Sequence, residues 1–226
     1  MLWLWDNLDL VLRLTADHVR LSIIPIVVGF IVCIPFGWLA NRYTIARTIL
    51  LTLGGVLFSI PSLALFVTLP ALLGTRILDE ANVVVALSIY AIAVMVRGAA
   101  DAFSSVSRDV ISSSTAVGFS AMSRFWTVEF PLAGPVLLAS LRVVSVSTVS
   151  LLSVGSLIGV QSLGYLFING YQRDFPEEIL IGIAFTVIVA VLFDIILVLV
   201  GRLLMPWTRS TPRRRSVTPA SAPVTA

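Results

Sequence analysis

Charged residues are so widely spaced along this chain that most of the sequence consists of long uncharged runs. In the first half of the chain these runs are 21, 28 and 16 residues long. In the second half, runs of 43 and 23 residues are each broken by a single charge, Arg142 and Asp194 respectively. A helix needs about 20 apolar residues to cross the hydrocarbon core of a bilayer. The spacing therefore predicts an all-α, polytopic membrane bundle of about five transmembrane helices, near 19–40, 47–73, 82–100, 131–156 and 178–204.

Composition excludes several classes of function. Apolar residues make up 58% of the chain and charged residues 12%, which argues against an ordinary soluble enzyme and against a disordered protein. With Cys33 and His18 as the lone cysteine and histidine, no internal disulfide and no multi-histidine metal site is expected. All fifteen basic residues are arginine, so the lysine of an ATP-binding phosphate loop is missing and any ATP must be bound by another subunit. The arginines lie between apolar runs and in the tail, a distribution that does not indicate nucleic-acid binding.

The arginines are also distributed unequally between the two sets of loops. Nine lie in the loops 41–47 and 98–130 and in the tail, against two in the opposite loops, which also hold five acidic residues. Basic loops stay in the cytoplasm, so we expect the N-terminus outside and the C-terminus in the cytoplasm. The segment 157–177 is then an external re-entrant or interfacial segment. Residues 1–18 are predicted to form an interfacial segment, and residues 206–226 a disordered cytoplasmic tail.

The loop 101–130 is too long for a tight turn and too apolar for a simple linker. Its apolar residues recur at helix-like intervals, and Gly118 interrupts them, which predicts two short helices with a bend near Gly118. Such a segment could place its apolar face in a groove on a cytoplasmic partner. It could equally pack as a helical hairpin on its own membrane domain.

The same loop resembles the cytoplasmic signature of binding-protein-dependent ABC importer permeases, which runs Glu-Ala-Ala, three residues, Gly, nine residues, Ile-x-Leu-Pro. Here Gly118 is the glycine, residues 128–131 (VEFP) fill the last four positions, and residues 112–114 (SSS) replace Glu-Ala-Ala. The resemblance implies the MetI-like architecture of a type I importer permease for residues 19–205. It also implies that this loop couples the chain to the ATPase, with Phe119, Met122, Phe125 and Trp126 as candidate apolar anchors. The coupling-loop residues are Ser112, Ala116, Gly118, Phe119, Met122, Phe125, Trp126, Glu129 and Pro131.

Three further segments are similar to permeases that import osmoprotectants such as glycine betaine, choline, carnitine or proline. They are SIPSLAL at 59–65, VEFPLAGPVLLASLR at 128–142 and SLGYLFINGYQR at 162–173. The resemblance implies a bacterial plasma-membrane subunit working with a second permease, cytoplasmic ATPases that bind ATP and Mg²⁺, and an extracytoplasmic substrate-binding protein. This chain itself would bind no cofactor. The alternatives are a permease for another small solute, such as an amino acid, and a membrane enzyme, for which no acids, histidines or cysteines converge.

Four residues inside the predicted spans could belong to the transport pathway. Arg142 and Asp194 lie in adjacent predicted helices, where they could either pair and fix the helix packing or line a polar path. Pro61, with Ser62 beside it, interrupts the second span, and a break of this kind marks either a packing kink or a transport site.

Overall fold

The computed structural model describes residues 2–76 and 79–209, and every regular element within them is helical. The α-helices are α1 (Leu2–Asp6), α2 (Leu8–Arg42), α3 (Thr44–Ser59), α4 (Ser62–Leu73), α5 (Glu80–Ser104), α6 (Arg108–Ala116), α7 (Ala121–Arg124), α8 (Phe130–Gly155), α9 (Gly164–Gln172) and α10 (Pro176–Leu204). A π-helical turn covers Phe125–Glu129, and short 3₁₀ turns cover Ser156–Ile158 and Pro206–Arg209.

Four of the helices in the described residues are long and apolar enough to cross a membrane: α2, α5, the continuous helix that ends as α8, and α10. The pair α3 and α4 is a fifth candidate span, bent by 99° at the break between them. The prediction of about five spans therefore agrees with four spanning helices and one bent pair. The first helix, however, begins at Leu8 rather than near residue 19, because the polar residues of 8–18 continue the helix without a break.

Small residues let α2 and α5 cross in close contact. A Cβ atom added to Gly29 would lie 2.8 Å from the Ala91 Cβ, and one added to Gly37 would lie 2.5 Å from the Ala99 Cβ. Lipid is as apolar as the helices themselves, so close backbone approach through small residues is what favours helix association in a membrane. This crossing forms the centre of the bundle.

One end of the bundle carries the connection between α5 and α8, and we call it the loop end. There the Asn41 side-chain amide donates to the Phe103 carbonyl at 3.2 Å, and Arg47 pairs with Asp101 at 2.8 Å. These contacts bring the α2–α3 turn beside the end of α5. The last turn of α10 reaches the same end, where Met205 packs against Gly134 near the start of α8.

The opposite end is closed by the segment between α8 and α10. His18 of α2 contacts the Val149 carbonyl at 3.0 Å through Nε2 and accepts from the Leu163 N–H at 3.3 Å through Nδ1. The helix α9 has nine residues, about 14 Å, which is too short to cross a bilayer. This agrees with a re-entrant or interfacial segment at 157–177 in place of a sixth span.

The predicted disordered tail, 206–226, falls largely outside the described residues. The structure describes one 3₁₀ turn, Pro206–Arg209, immediately after α10. The remainder of the tail, 210–226, lies outside the described residues.

Candidate functional site

The connection between α5 and α8 is a helix, a bend and a second helix, as predicted. The helix α6 ends in a Schellman motif, in which the Gly118 N–H donates to the Thr115 carbonyl at 3.0 Å and the Phe119 N–H to the Ser114 carbonyl at 3.1 Å. Gly118 has φ +101°, a backbone conformation that strains a residue with a Cβ atom. The bend therefore depends on glycine at position 118.

An apolar surface lies around this bend. Val117 is 80% exposed, and Phe119, Met122 and Trp126 are also exposed. We call these four residues the tip surface. Ser112 and Ala116, the other sequence candidates on α6, are exposed as well. Large apolar side chains at the tip of a loop are unfavourable in water and are typical of a surface that a partner covers.

The structure corrects one of the predicted partner contacts, Phe125. Its side chain is only 6% exposed and packs against the rings of Trp38, Phe103 and Phe130, at centroid distances of 5.5, 5.7 and 6.0 Å. Phe125 therefore belongs to the core of the bundle and is not an exposed anchor. Helical spacing showed that Phe125 is on an apolar face, but not which face of the loop turns towards the spans.

A polar network attaches the loop to the spans. The buried carboxylate of Glu129 accepts from the Arg124 Nε at 2.7 Å and from the indole N–H of Trp38, on α2, at 3.0 Å. Arg124 also donates to the Thr115 hydroxyl at 2.6 Å, which ties α6 to the same group. Sequence reasoning proposed Glu129 but missed Arg124, Thr115 and Trp38. The spacing of five residues between Arg124 and Glu129 was a signal that the two could pair. Trp38 is too far from Glu129 in the sequence for their bond to be predicted.

The π-helical turn Phe125–Glu129 explains how this network is positioned. Its closing bond runs from the Phe130 N–H to the Phe125 carbonyl, five residues back. Pro131 follows directly, and its ring has no N–H and would crowd the carbonyl four residues before it in an ordinary helix. A wider turn before Pro131 leaves room for that ring, and Glu129, the last residue of the turn, bonds to Trp38. Single π turns of this kind are frequent at functional sites.

The three serines that replace Glu-Ala-Ala satisfy their hydrogen bonds largely within α6. The Ser112 hydroxyl donates to the Arg108 and Asp109 carbonyls, each at 3.0 Å, and the Ser114 hydroxyl to the Ile111 carbonyl at 2.8 Å. None of these bonds reaches the rest of the bundle. The substitution therefore leaves the helix intact and changes only the surface that it presents.

Arg142 and Asp194 form a bidentate pair between α8 and α10. The Arg142 Nε is 2.5 Å from the Asp194 Oδ1, and its Nη2 is 2.8 Å from Oδ2. The two charges therefore satisfy each other and join the helices. They do not lie with Pro61 and Ser62, so the four pathway candidates divide into two separate places.

Pro61 breaks the second span, with Ile60 in an extended conformation between α3 and α4. The Tyr90 hydroxyl of α5 donates to the Ile60 carbonyl, an acceptor that the break leaves without a helical partner. Beside the break lies an open groove that Ser62 lines, and we call it the break groove. Its lining residues are Phe58, Ile60, Ser62, Tyr90, Val146, Ser147, Ser150 and Leu151. Apart from Pro61 and Ser62, sequence reasoning did not identify this groove.

These features define a polytopic helical membrane protein with an exposed apolar loop at one end. The chain belongs to the family described as the binding-protein-dependent transport system inner membrane component, which matches residues 33–210. It is a transport subunit of the inner membrane and not an enzyme.

Individual relatives agree with the family. The choline transport system permease of Bacillus subtilis is 28% identical over 195 residues, 85% of this chain and 87% of the relative. The glycine betaine/carnitine/choline permease of the same organism is 28% identical over 209 residues, 91% and 94% of the two chains. An osmoprotectant import permease of Salmonella typhimurium is 26% identical over 195 residues, covering 85% of this chain and 90% of the relative.

The fold also matches solved structures. An inward-facing structure of the MetNI methionine ABC transporter aligns with a TM-score of 0.74, covering 88% of this chain and 98% of that chain at 21% identity. The predicted MetI-like architecture is thereby confirmed.

Proposed function

We propose that this chain is the permease subunit of an ATP-driven importer of osmoprotectants that carry a quaternary ammonium group, such as choline, glycine betaine and carnitine. The activities for which the relatives are named support this substrate class, since the similarity covers most of this chain and most of their own length. The proposal extends to proline, which resembles these solutes in size and charge.

The observation that carries the coupling role is the tip surface, an exposed apolar patch held on a rigid attachment. Its residues project from the bend at Gly118, while Glu129 fastens the base of the loop to Arg124 and Trp38. A surface that docks in a groove of an ATPase can move the spans only if it is stiffly joined to them. Glu129, Pro131 and the π turn supply that joint, and Ser112 and Ala116 lie on the face of α6 beside the tip.

The proposal includes the partners and the orientation. Two permease subunits form the path, two cytoplasmic ATPase subunits bind ATP and Mg²⁺ and close against the loop end, and an extracytoplasmic protein delivers the solute. Most of the described arginines outside the spans lie at the loop end, which supports a cytoplasmic position for that end, and with it an external N-terminus and a cytoplasmic C-terminus.

The substitution Gly118→Val tests the coupling role. Valine at φ +101° is strained, so the bend should shift and displace the tip surface while the spans stay intact. We expect near-normal amounts of protein in the membrane, loss of ATP-driven uptake of radiolabelled choline and glycine betaine, and weaker copurification of the ATPase.

Gly74→Val is the matched control for this experiment. Gly74 also has a positive φ, +67°, and open space around it, but it lies at the opposite end of the bundle. This variant should retain the ATPase on copurification. Normal uptake by a well-expressed Gly118→Val protein would overturn the role of the loop, whereas absence of choline and glycine betaine uptake in the unsubstituted transporter would overturn the substrate class.

A further inference from the structure

The break groove combines an accessible aromatic ring, hydroxyl groups and the open end of a helix. Phe58 is 53% exposed at the end of α3, and its ring lies 6.1 Å from that of the buried Tyr90, at an interplanar angle of 82°. Ser62, Ser147 and Ser150 provide hydroxyl oxygens along the rest of the lining. A small neighbouring pocket shares Phe58, Tyr90 and Ser147 with this groove and adds the Thr148 side chain.

The electrostatics of the groove favour a positive charge. Aromatic rings present a negative face to a cation. The negative end of the α3 dipole and the positive end of the α4 dipole meet at the break and offset each other, so the rings carry the preference for a cation. The Ile60 carbonyl is fixed at this point by the Tyr90 hydroxyl. The lining contains neither aspartate nor glutamate, so a cation would be attracted without the tight grip of an ion pair. A site of this strength suits a solute that must leave as readily as it enters.

The length of α3 indicates how deep in the membrane the groove lies. From Thr44, at the loop end, the 16 residues of α3 rise about 24 Å, so the break lies most of the way across a bilayer core of about 30 Å. The break thus lies in the half of the membrane farther from the ATPase. A solute arriving from the side of the binding protein would reach this depth early.

We propose that the break groove is a transient binding site for the quaternary ammonium group of the solute, with Phe58 as its principal contact and Tyr90 as the residue that positions the broken backbone. This inference rests on the proposed function for its substrate class. The competing occupant is a helix of the second permease, which would cover the same lining.

Cysteine labelling with charged reagents tests the site. The assembled transporter carries Cys33→Ser, so that a Ser150→Cys thiol is the one labelled. It is treated with a cationic reagent, trimethylammonium-ethyl methanethiosulfonate, and with an anionic one, sulfonatoethyl methanethiosulfonate. The rates of modification by the two reagents are compared. We expect the cationic reagent to react faster, and choline to slow it. Phe58→Leu should lower the cationic rate about fivefold and leave the anionic rate unchanged. Phe58→Trp, which keeps an aromatic face, should preserve the cationic rate.

Val143→Cys is the matched control, because it is exposed on the same helix about 10 Å nearer the loop end and outside the groove. Phe58→Leu should leave its rates unchanged. Equal cationic rates with and without Phe58 would overturn the cation site. Protection of the Ser150→Cys thiol from both reagents would also overturn it, because the groove would then be a subunit contact. Uptake of choline and glycine betaine by the unsubstituted transporter is measured in the same vesicles, so a wrong substrate class is recognised separately.

Discussion

At the scale of single residues, Arg142 and Asp194 hold each other's charge across two helices. The side chains of Arg142 and Asp194 are 42% and 31% exposed in the isolated chain, so this pair lies near the surface of the bundle and not in its core. A charge in the apolar part of a membrane is costly, and bidentate pairing is the arrangement that lowers the cost most. The pair therefore joins α8 to α10 at a place that lipid or a second subunit covers.

A double-mutant cycle on Arg142 and Asp194 tests this role. Each single alanine substitution leaves one charge without its partner, so each should lower the unfolding temperature. The double substitution removes both charges and should lower that temperature by clearly less than the sum of the two single effects. Thermal unfolding of the purified protein in detergent measures the difference. Strictly additive losses would show that the pair contributes no coupling.

The roles of some residues could be predicted from the sequence and those of others could not. Arg142 and Asp194 were visible because a lone charge in an apolar run needs a partner, and the bend at Gly118 was visible because glycine interrupts a helical pattern. Phe125 was assigned to the partner surface although it lies in the core, because apolar periodicity does not distinguish an internal from an external neighbour. Trp38 was missed because its bond to Glu129 joins residues far apart in the chain.

At the scale of elements, the α2–α5 crossing is set by glycines that have no room for a side chain. A Cβ atom at Gly37 would lie 2.7 Å from the carbonyl carbon of Ala99, within the backbone of α5. A Cβ atom at Gly55, in α3, would have no neighbouring atom within 4 Å, because this position faces open space. The two positions therefore separate the packing effect of a side chain from its effect on the helix itself.

Leucine at Gly37 should separate α2 from α5, whereas leucine at Gly55 should be tolerated. Overpacking of this kind costs about 1–3 kcal/mol, and the backbone contact at Gly37 places the cost towards the upper end. We expect a lower unfolding temperature and less folded protein for Gly37→Leu than for Gly55→Leu, measured by fluorescence-detected size exclusion after heating. Equal stability of the two variants would mean that the α2–α5 contact is not limiting.

At the scale of the whole molecule, the spacing of charges predicted about five spans, and the apolar pattern interrupted at Gly118 predicted the helix–bend–helix form of the loop. It did not predict the 99° bend between α3 and α4, because proline alone does not specify whether a helix kinks or reverses its course. The loop and the α2–α3 turn lie at one end, and the α8–α10 segment at the other. The orientation of these ends in the membrane is a prediction that follows from the arginine distribution.

Thiol labelling in intact cells tests this orientation. The reporter for the end opposite the loop end must be exposed. Ser162 lies at that end but is buried and bonded to Ser156 at 2.7 Å, whereas Tyr171, at the same end, is 81% exposed. In a Cys33→Ser background, Tyr171→Cys should react with an impermeant maleimide from outside. Tyr43→Cys, 52% exposed in the α2–α3 turn at the loop end and outside the tip surface, should react only after the cells are opened. The reverse pattern would invert the topology.

The helix α2 makes contacts at both ends of the bundle and is a rigid connection between them. Its Trp38 is bonded to Glu129 at the loop end, and its His18 to the Val149 carbonyl and the Leu163 N–H at the other. About twenty residues separate these points, a length of about 30 Å, so a tilt of about 5° would displace one point relative to the other by about 3 Å. That displacement equals the length of a hydrogen bond. Pro25 and Pro35 lie between these two points, and each leaves the helix one backbone hydrogen bond short, so they are the places where α2 bends at least cost.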